Sequence, residues 1–328
     1  MFARVAIIIT VYLFTCFTPA VYAQNAKKIL FINSYHQGYA WSDGIIEGVR
    51  SVLDNPTLKT QFKQGLKLEM IEMDTKRNHD EQFRQKAALR VKNKIESFQP
   101  DVVIAADDNA SRYVIKAYYQ DSDLPFVFCG LNWDSSIYGF PYKNVTGMEE
   151  VSLLPQVLNH LKTYAKNKKS IGFIAGNAET SRKELKYHHK LFNIQYDKVY
   201  FVNSFAQWKE KYLQLQDEVD MLMMLNHAGI NDWDIEAAKH FVEKNTQIPS
   251  GTMNKWDMPY AMLGITKIAQ EQGRWAAHAS LKIIQGIKPR EIAITQNTEG
   301  KLILNMRIVN KLGIHIALPL LRIATFVK

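Results

Sequence analysis

The side chains able to bind or react fall in short groups directly behind apolar runs. Tyr35, His36, Tyr39 and Trp41 crowd one loop that opens at Ser34. Aromatic rings in such a loop either cap the core or form a platform for a planar group. Four together favour the platform, because an aromatic pair contributes about 0.5–1.5 kcal/mol beyond its area burial. Asp107 and Asp108 precede Asn109 at the start of an expected helix. Their carboxylates can hold an amine or a sugar hydroxyl, or cap that helix, since Asp is a favoured N-cap residue. Asn132, Asn177 and Asn226 each follow another apolar run, and His227 comes next. Asn serves turns by default, but three in equivalent places point to neutral hydrogen bonding of a small organic ligand.

Other candidates read as inert. His188 and His189 lie mid-helix and are expected on an exposed face, which makes His188 a silent control position. Cys129 ends an apolar run, yet a reactive thiol needs a neighbouring base or cation, and the sequence supplies none. There is no His-Glu-x-x-His, Gly-x-Ser-x-Gly, Cys-x-x-Cys, calcium loop or phosphate-binding Gly-Lys-Ser/Thr loop. Every positive argument for a catalytic, metal or cofactor site is therefore missing.

The elements that must position these groups repeat as strand, loop, helix. Lys28 to Asn33, Leu66 to Met73, Val102 to Ala105 and Pro125 to Phe128 read as strands. The first is followed by a helix capped by Ser42-Asp43, with Ile45, Val49, Val52 and Leu53 on one face, and a later helix spans Asn109 to Tyr119. Continuous apolar strands of this kind belong to a parallel sheet covered on both faces. The pattern restarts with strands at Ile171 to Ala175, Val199 to Val202, Met221 to Leu225 and Gln247 to Pro249, separated by helices. An extended crossover at Asn144 to Met148, a long helix from Ile265 to Gln285 and a strand from Lys301 to Asn305 complete the reading. The expected fold is α/β, with two doubly wound parallel-sheet lobes joined by a hinge. Lobe one is placed at 24–146 with part of 257–290 returning to it, and lobe two at 147–256 with part of the 291–328 tail. In open parallel sheets ligands bind beyond the carboxyl ends of the strands, where all the groups above lie.

The amino terminus carries Arg4, an apolar run from Val5 to Phe17, Pro19, and small residues at Val21 and Ala23. This is the layout of a secretory signal, residues 1–23, with cleavage before Gln24. The run is too short and too interrupted for a membrane anchor. Cys16 leaves with the signal, so Cys129 stands alone and no intrachain disulfide forms. The net charge of +9 would suit nucleic acid, an anionic membrane face or an acidic ligand, but export removes the nucleic-acid option.

The run from Ile32 to Gly44, the Asp107-Asp108-Asn109-Ala110 turn, the stretch from Phe126 to Asn132 and the segment from Val309 to Ile314 resemble the ABC-transporter substrate-binding family of type I periplasmic binding proteins, related to tryptophan/tyrosine-type binding proteins. The resemblance implies a periplasmic two-lobe protein that closes on a small molecule and docks to a membrane permease. The alternatives are a ligand-sensing partner of a membrane histidine kinase or diguanylate cyclase, and a hydrolase on the same scaffold. One departure is the tail His315-Ile316-Ala317-Leu318-Pro319, where the family places Pro sooner after Leu-Gly-Ile, so the end of the chain is expected to pack differently.

Overall fold

The structure is a computed structural model that describes residues 25–167 and 169–327. The expected signal segment lies outside the described residues. Strands run in chain order as β1 (Lys27–Asn33), β2 (Leu66–Glu72), β3 (Val102–Ala106), β4 (Phe126–Asn132) and β5 (Val145–Glu150). They continue as β6 (Ile171–Gly176), β7 (Lys198–Val202), β8 (Met221–Met224), β9 (Ser250–Thr252) and β10 (Leu263–Lys267). The chain ends with β11 (Thr295–Gln296), β12 (Gly300–Leu304) and β13 (Thr325–Phe326).

These strands form two sheets. The first has the order β11-β5-β4-β3-β1-β2 and is parallel throughout. The second has the order β13-β12-β10-β9-β8-β6-β7, with β12 antiparallel to β10. Every residue of β3, β6 and β8 is buried, because helices cover both faces of each sheet. The chain passes between the sheets three times: after β5, after β10, and between β11 and β12.

Helix starts follow local chemistry. Asp80, Ser204 and Asp234 each accept a hydrogen bond from the backbone of the helix they open. Ser42-Asp43 does not act in this way. That helix begins earlier, at Ala40, and the Asp43 carboxylate instead accepts the Gly38 N–H at 3.0 Å, tightening the loop before it. The helix Ala269–Ile284 packs along Ala40–Leu53 so closely that a Cβ on Gly273 would fall 1.9 Å from the Ile45 carbonyl oxygen.

Three expected elements shift. Residues from Leu263 to Lys267 are a strand rather than the start of the long helix, since β9 and β12 take up their backbone groups from both sides. Asn144 to Met148 is not a free crossover, because Val145–Glu150 pairs with β4 as a full strand. The strand expected at Gln247 to Pro249 begins only at Ser250, the Pro249 carbonyl accepting the Leu222 N–H at 3.0 Å. Among the described residues no helix is long and apolar enough to cross a membrane, and no His, Cys, Asp and Glu cluster suits a metal ion.

Candidate functional site

A cavity of about 390 Å³ opens at the carboxyl ends of β1, β3 and β4, facing the segment after β9. This is where parallel sheets present loops and helix starts to a ligand. A groove of about 930 Å³ is larger, but residues 37–72 of the first lobe alone line it, among them Ile46, Arg50, Met70 and Glu72. The smaller cavity is lined from both lobes and by the ends of several strands, and it is the better site.

The aromatic wall comes from the loop after β1. Asn33 Oδ1 accepts the Tyr35 N–H at 2.9 Å, and the Tyr35 carbonyl accepts the Asp74 N–H at 2.8 Å, which pins the loop from both sides. Tyr35 meets Tyr39 edge to face with centroids 5.1 Å apart. The Lys76 ammonium rests over both rings, at 5.1 Å and 4.9 Å. Trp41 lies in the first turn of the next helix and donates its indole N–H to Asp107 Oδ1 at 3.1 Å. The strand β4 bends beside this pair at Gly130, whose φ of +67° would strain any side chain and whose Cβ would come within 3.0 Å of Asp107 Oδ1.

Asp107 is the polar centre of the cavity. It starts its helix at a φ of +68°, a left-handed conformation in which Asp is several-fold enriched. Its carboxylate is buried, and among the described residues no donor meets Oδ2. Burial pushes this carboxyl well above the usual range, and the nearby charges of Glu150 and Asp108 add to the rise. Burial, then Asp107, also pushes the Tyr35 phenol up. Glu150 ends β5, is buried and pairs with Lys267 at the end of β10; burial still raises it against the pull of that lysine. The Lys267 ammonium stands 5.8 Å from the Trp41 ring.

Of the residues picked from sequence, Tyr35, Tyr39, Trp41, Asp107 and Asn132 line this cavity together. The others serve the frame. Ser34 is fully buried, donating to the Ala106 carbonyl at 2.5 Å and accepting from the Ala110 N–H at 2.8 Å. Asp108 accepts from Asn132 at 2.6 Å and from the Tyr138 hydroxyl at 2.7 Å, and neither Asp107 nor Asp108 caps the helix through its side chain. Asn109 donates to Thr75 Oγ1 at 2.7 Å, and His36 engages the Gln37 carbonyl at 2.8 Å outside the cavity wall.

The second-lobe candidates stand apart from the cavity. Asn177 is tied to Arg182 at 2.7 Å and to Asn203 at 2.9 Å. Asn226 turns back on the Ala228 N–H at 2.9 Å. His227 stacks on Trp233, 4.9 Å and 11° apart, with its Nδ1 3.4 Å from Asp257. The second lobe reaches the cavity instead through Met253, Asn254, Lys255 and Trp256. Lys76, Glu150, Thr266 and Lys267 also line it and escaped sequence reasoning. Trp256 sits four residues past the end of β9, beyond the reach of a strand-end rule.

His188 is not exposed. Its ring is fully buried, shares a 2.9 Å hydrogen bond with the Tyr196 hydroxyl and lies edge-on to Phe173 and Trp133. That face of the helix Glu179–Phe192 is covered from both lobes: Trp133 of the first stacks on Tyr187 at 5.1 Å, and Asp134 pairs with Lys190. His189 is the exposed one of the two. Burial pushes the Cys129 thiol up, the opposite of what a nucleophile requires.

Two α/β sheets joined by three crossings, with a cavity walled from both sides, define a two-lobe binding protein. The chain matches the ABC transporter substrate binding protein family over residues 48–328 and belongs to it. It is accordingly a substrate-binding protein of an ABC transporter. No curated protein matches it in sequence. Its fold is similar to the ligand-free, open structure of a substrate binding protein with adhesive properties from Clostridium difficile, with a TM-score of 0.69 and 16% identity over 92% of this chain and 99% of that one. It is also similar to an ABC domain from Streptococcus pneumonia in complex with L-Trp, with a TM-score of 0.51 and 18% identity over 93% and 100% of the two chains. A solute binding protein of an ABC transporter from R. palustris in complex with 4-hydroxybenzoate gives a TM-score of 0.51 and 11% identity over 80% and 81%. At these identities the likeness is one of fold.

Proposed function

We propose that this protein captures a small molecule bearing a planar ring and an amine, and delivers it from the periplasm to a membrane permease. The observation that carries the reading is Asp107: a buried carboxylate with one oxygen held by Trp41 and the other free, set among aromatic rings. A buried, half-satisfied carboxylate costs stability, because an unpaired polar group keeps its full desolvation penalty. A ligand amine removes that cost and forms a charge-assisted hydrogen bond, while the ring lies against Tyr35, Tyr39 and Trp41.

Charge balance refines the class. Glu150 already matches Lys267, whereas Lys76 rests on tyrosine rings rather than on a carboxylate. An acidic group on the ligand is therefore also accommodated, and an aromatic amino acid fits all three features. The volume of about 390 Å³ lies near the lower end of ordinary ligand pockets. The L-Trp and 4-hydroxybenzoate held by two proteins of similar fold are ring compounds as well.

Mass spectrometry of material released on denaturing the purified protein identifies a retained ligand. A thermal-shift panel of L-tryptophan, L-tyrosine, tyramine, 4-hydroxybenzoate and simple sugars then ranks the classes. A ligand at 100 times its Kd stabilises the folded state by about 2.7 kcal/mol, well within detection. Ring amines should give the largest shifts; a response confined to sugars refutes the reading.

A further inference from the structure

We infer that Trp256 is the second lobe's ring-reading side chain, and that Asp257, held by Asn226 and His227, positions it against the ring wall of the first lobe. This rests on the proposed function and adds a specificity residue to it. Tryptophan is on average a well-buried residue, yet Trp256 is 59% exposed while lining the cavity. Its surroundings rule out loose packing as the reason. Asp257 and Met258, its immediate successors, are 3% and 2% exposed.

The turn that carries the indole is clamped. Asp257 Oδ2 accepts the Asn226 N–H at 3.0 Å and the Asn254 side-chain N–H at 2.9 Å, and Oδ1 stands 3.4 Å from His227 Nδ1. His227 is itself fixed by its stack on Trp233. A rigid mount thus holds a large ring out of the core, in the second lobe's part of the cavity wall, while Trp41 belongs to the first lobe's part. Among the described residues that line the cavity, Trp256 is the one aromatic side chain supplied by the second lobe, so a planar ligand resting on the first-lobe rings meets an aromatic face across the cavity only there, and this residue separates ring-bearing ligands from aliphatic ones of similar charge. Asn226 and His227 then act on the ligand without touching it.

The test compares L-tyrosine with L-leucine by isothermal titration on the whole mature protein. Trp256→Ala is expected to lower the ratio of L-tyrosine to L-leucine affinity by about 2–10-fold, the worth of one aromatic contact beyond its area burial. Trp256→Phe should recover most of the loss. Asp257→Asn should lower the L-tyrosine to L-leucine ratio likewise, and the double variant with Trp256→Ala should be no weaker than Trp256→Ala alone, because the aspartate matters only through the ring. Each variant is checked by its thermal midpoint, and Trp256→Phe covers the case in which Asp257→Asn fails to fold. If Trp256→Ala keeps the wild-type ratio while Trp41→Ala loses it, the inference is overturned and the proposed function stands. If neither amino acid nor any ring amine of the panel binds the wild type, the proposed function fails and takes the inference with it.

Discussion

Replacing Glu184 by Gln should change stability in a pH-dependent way whose sign is fixed by the burial of its carboxyl. Glu184 lies one helical turn before His188, with Oε1 4.0 Å from the histidine Nε2 and its side chain 16% exposed. Burial, opposed by the charge of Lys267 and aided by that of Asp257, raises its carboxyl from the usual 4.5 to about 7. His188 offers no counter-charge, because its own burial pushes it down to about 3 and keeps the ring neutral. Below about 4.5 the carboxyl is protonated in both folded and unfolded chains and costs nothing. As pH rises toward 7 the unfolded chain releases this proton while the folded one keeps it, so stability falls. Above about 7 the loss is complete. One pKa unit corresponds to 1.36 kcal/mol, so the full penalty at pH 8 is on the order of 3 kcal/mol. Glutamine carries no charge at any pH. Glu184→Gln should therefore be near neutral in urea unfolding at pH 5 and stabilising by about 2–3 kcal/mol at pH 8. Equal effects at the two pH values, or a loss that grows with pH, would show that the carboxyl is not held in this way.

Three further outcomes follow from the site and its support. Trp41→Ala or Tyr35→Ala should weaken L-tyrosine binding by about 2–10-fold in isothermal titration, with the thermal midpoint of the ligand-free protein lowered more by Trp41→Ala, which also removes the one donor among the described residues to the buried Asp107 carboxyl. Asp107→Asn should weaken binding of ring amines by about 10-fold, yet hold or raise the thermal midpoint, since Asn tolerates the positive φ and replaces a buried carboxyl whose ionised form burial disfavours. Gly273→Ala should lower stability by about 1–3 kcal/mol in chemical unfolding, because its Cβ would meet the Ile45 carbonyl oxygen at 1.9 Å and push apart the helix that carries Trp41.

The alternation of strands and helices was legible because each strand of a covered parallel sheet must be apolar on both faces, as in Val102–Ala106 and Met221–Met224. Capping was less so. Asp43 sits three residues inside its helix and serves the preceding loop, a choice that depends on the Gly38 N–H and not on the local pattern. In the first lobe the strand-end rule reaches Tyr35, Asp107 and Asn132, since β1, β3 and β4 stop at the cavity. In the second lobe the same rule reaches Asn177, Asn226 and His227, which bond within that lobe, while the cavity is met by a turn further along the chain. The burial of His188 has no local signal, because part of its cover comes from Trp133 of the other lobe, which no periodicity within the helix reveals.

The three crossings give the cavity walls a second duty. Glu150 and Lys267 end the strands β5 and β10 at two of the crossings, and they pair with each other where they line the cavity. A buried pair of this kind adds little net stability, but it penalises any arrangement that separates its charges. Lobe geometry and cavity electrostatics therefore cannot change independently. A ligand shifts the balance between lobe arrangements only by contacts that differ between them. On the proposed function, contacts to Tyr35, Trp41 and Asp107 involve one lobe, whereas contacts that also reach the segment Met253 to Trp256 involve both, and these are the ones expected to favour the arrangement in which the two walls face each other.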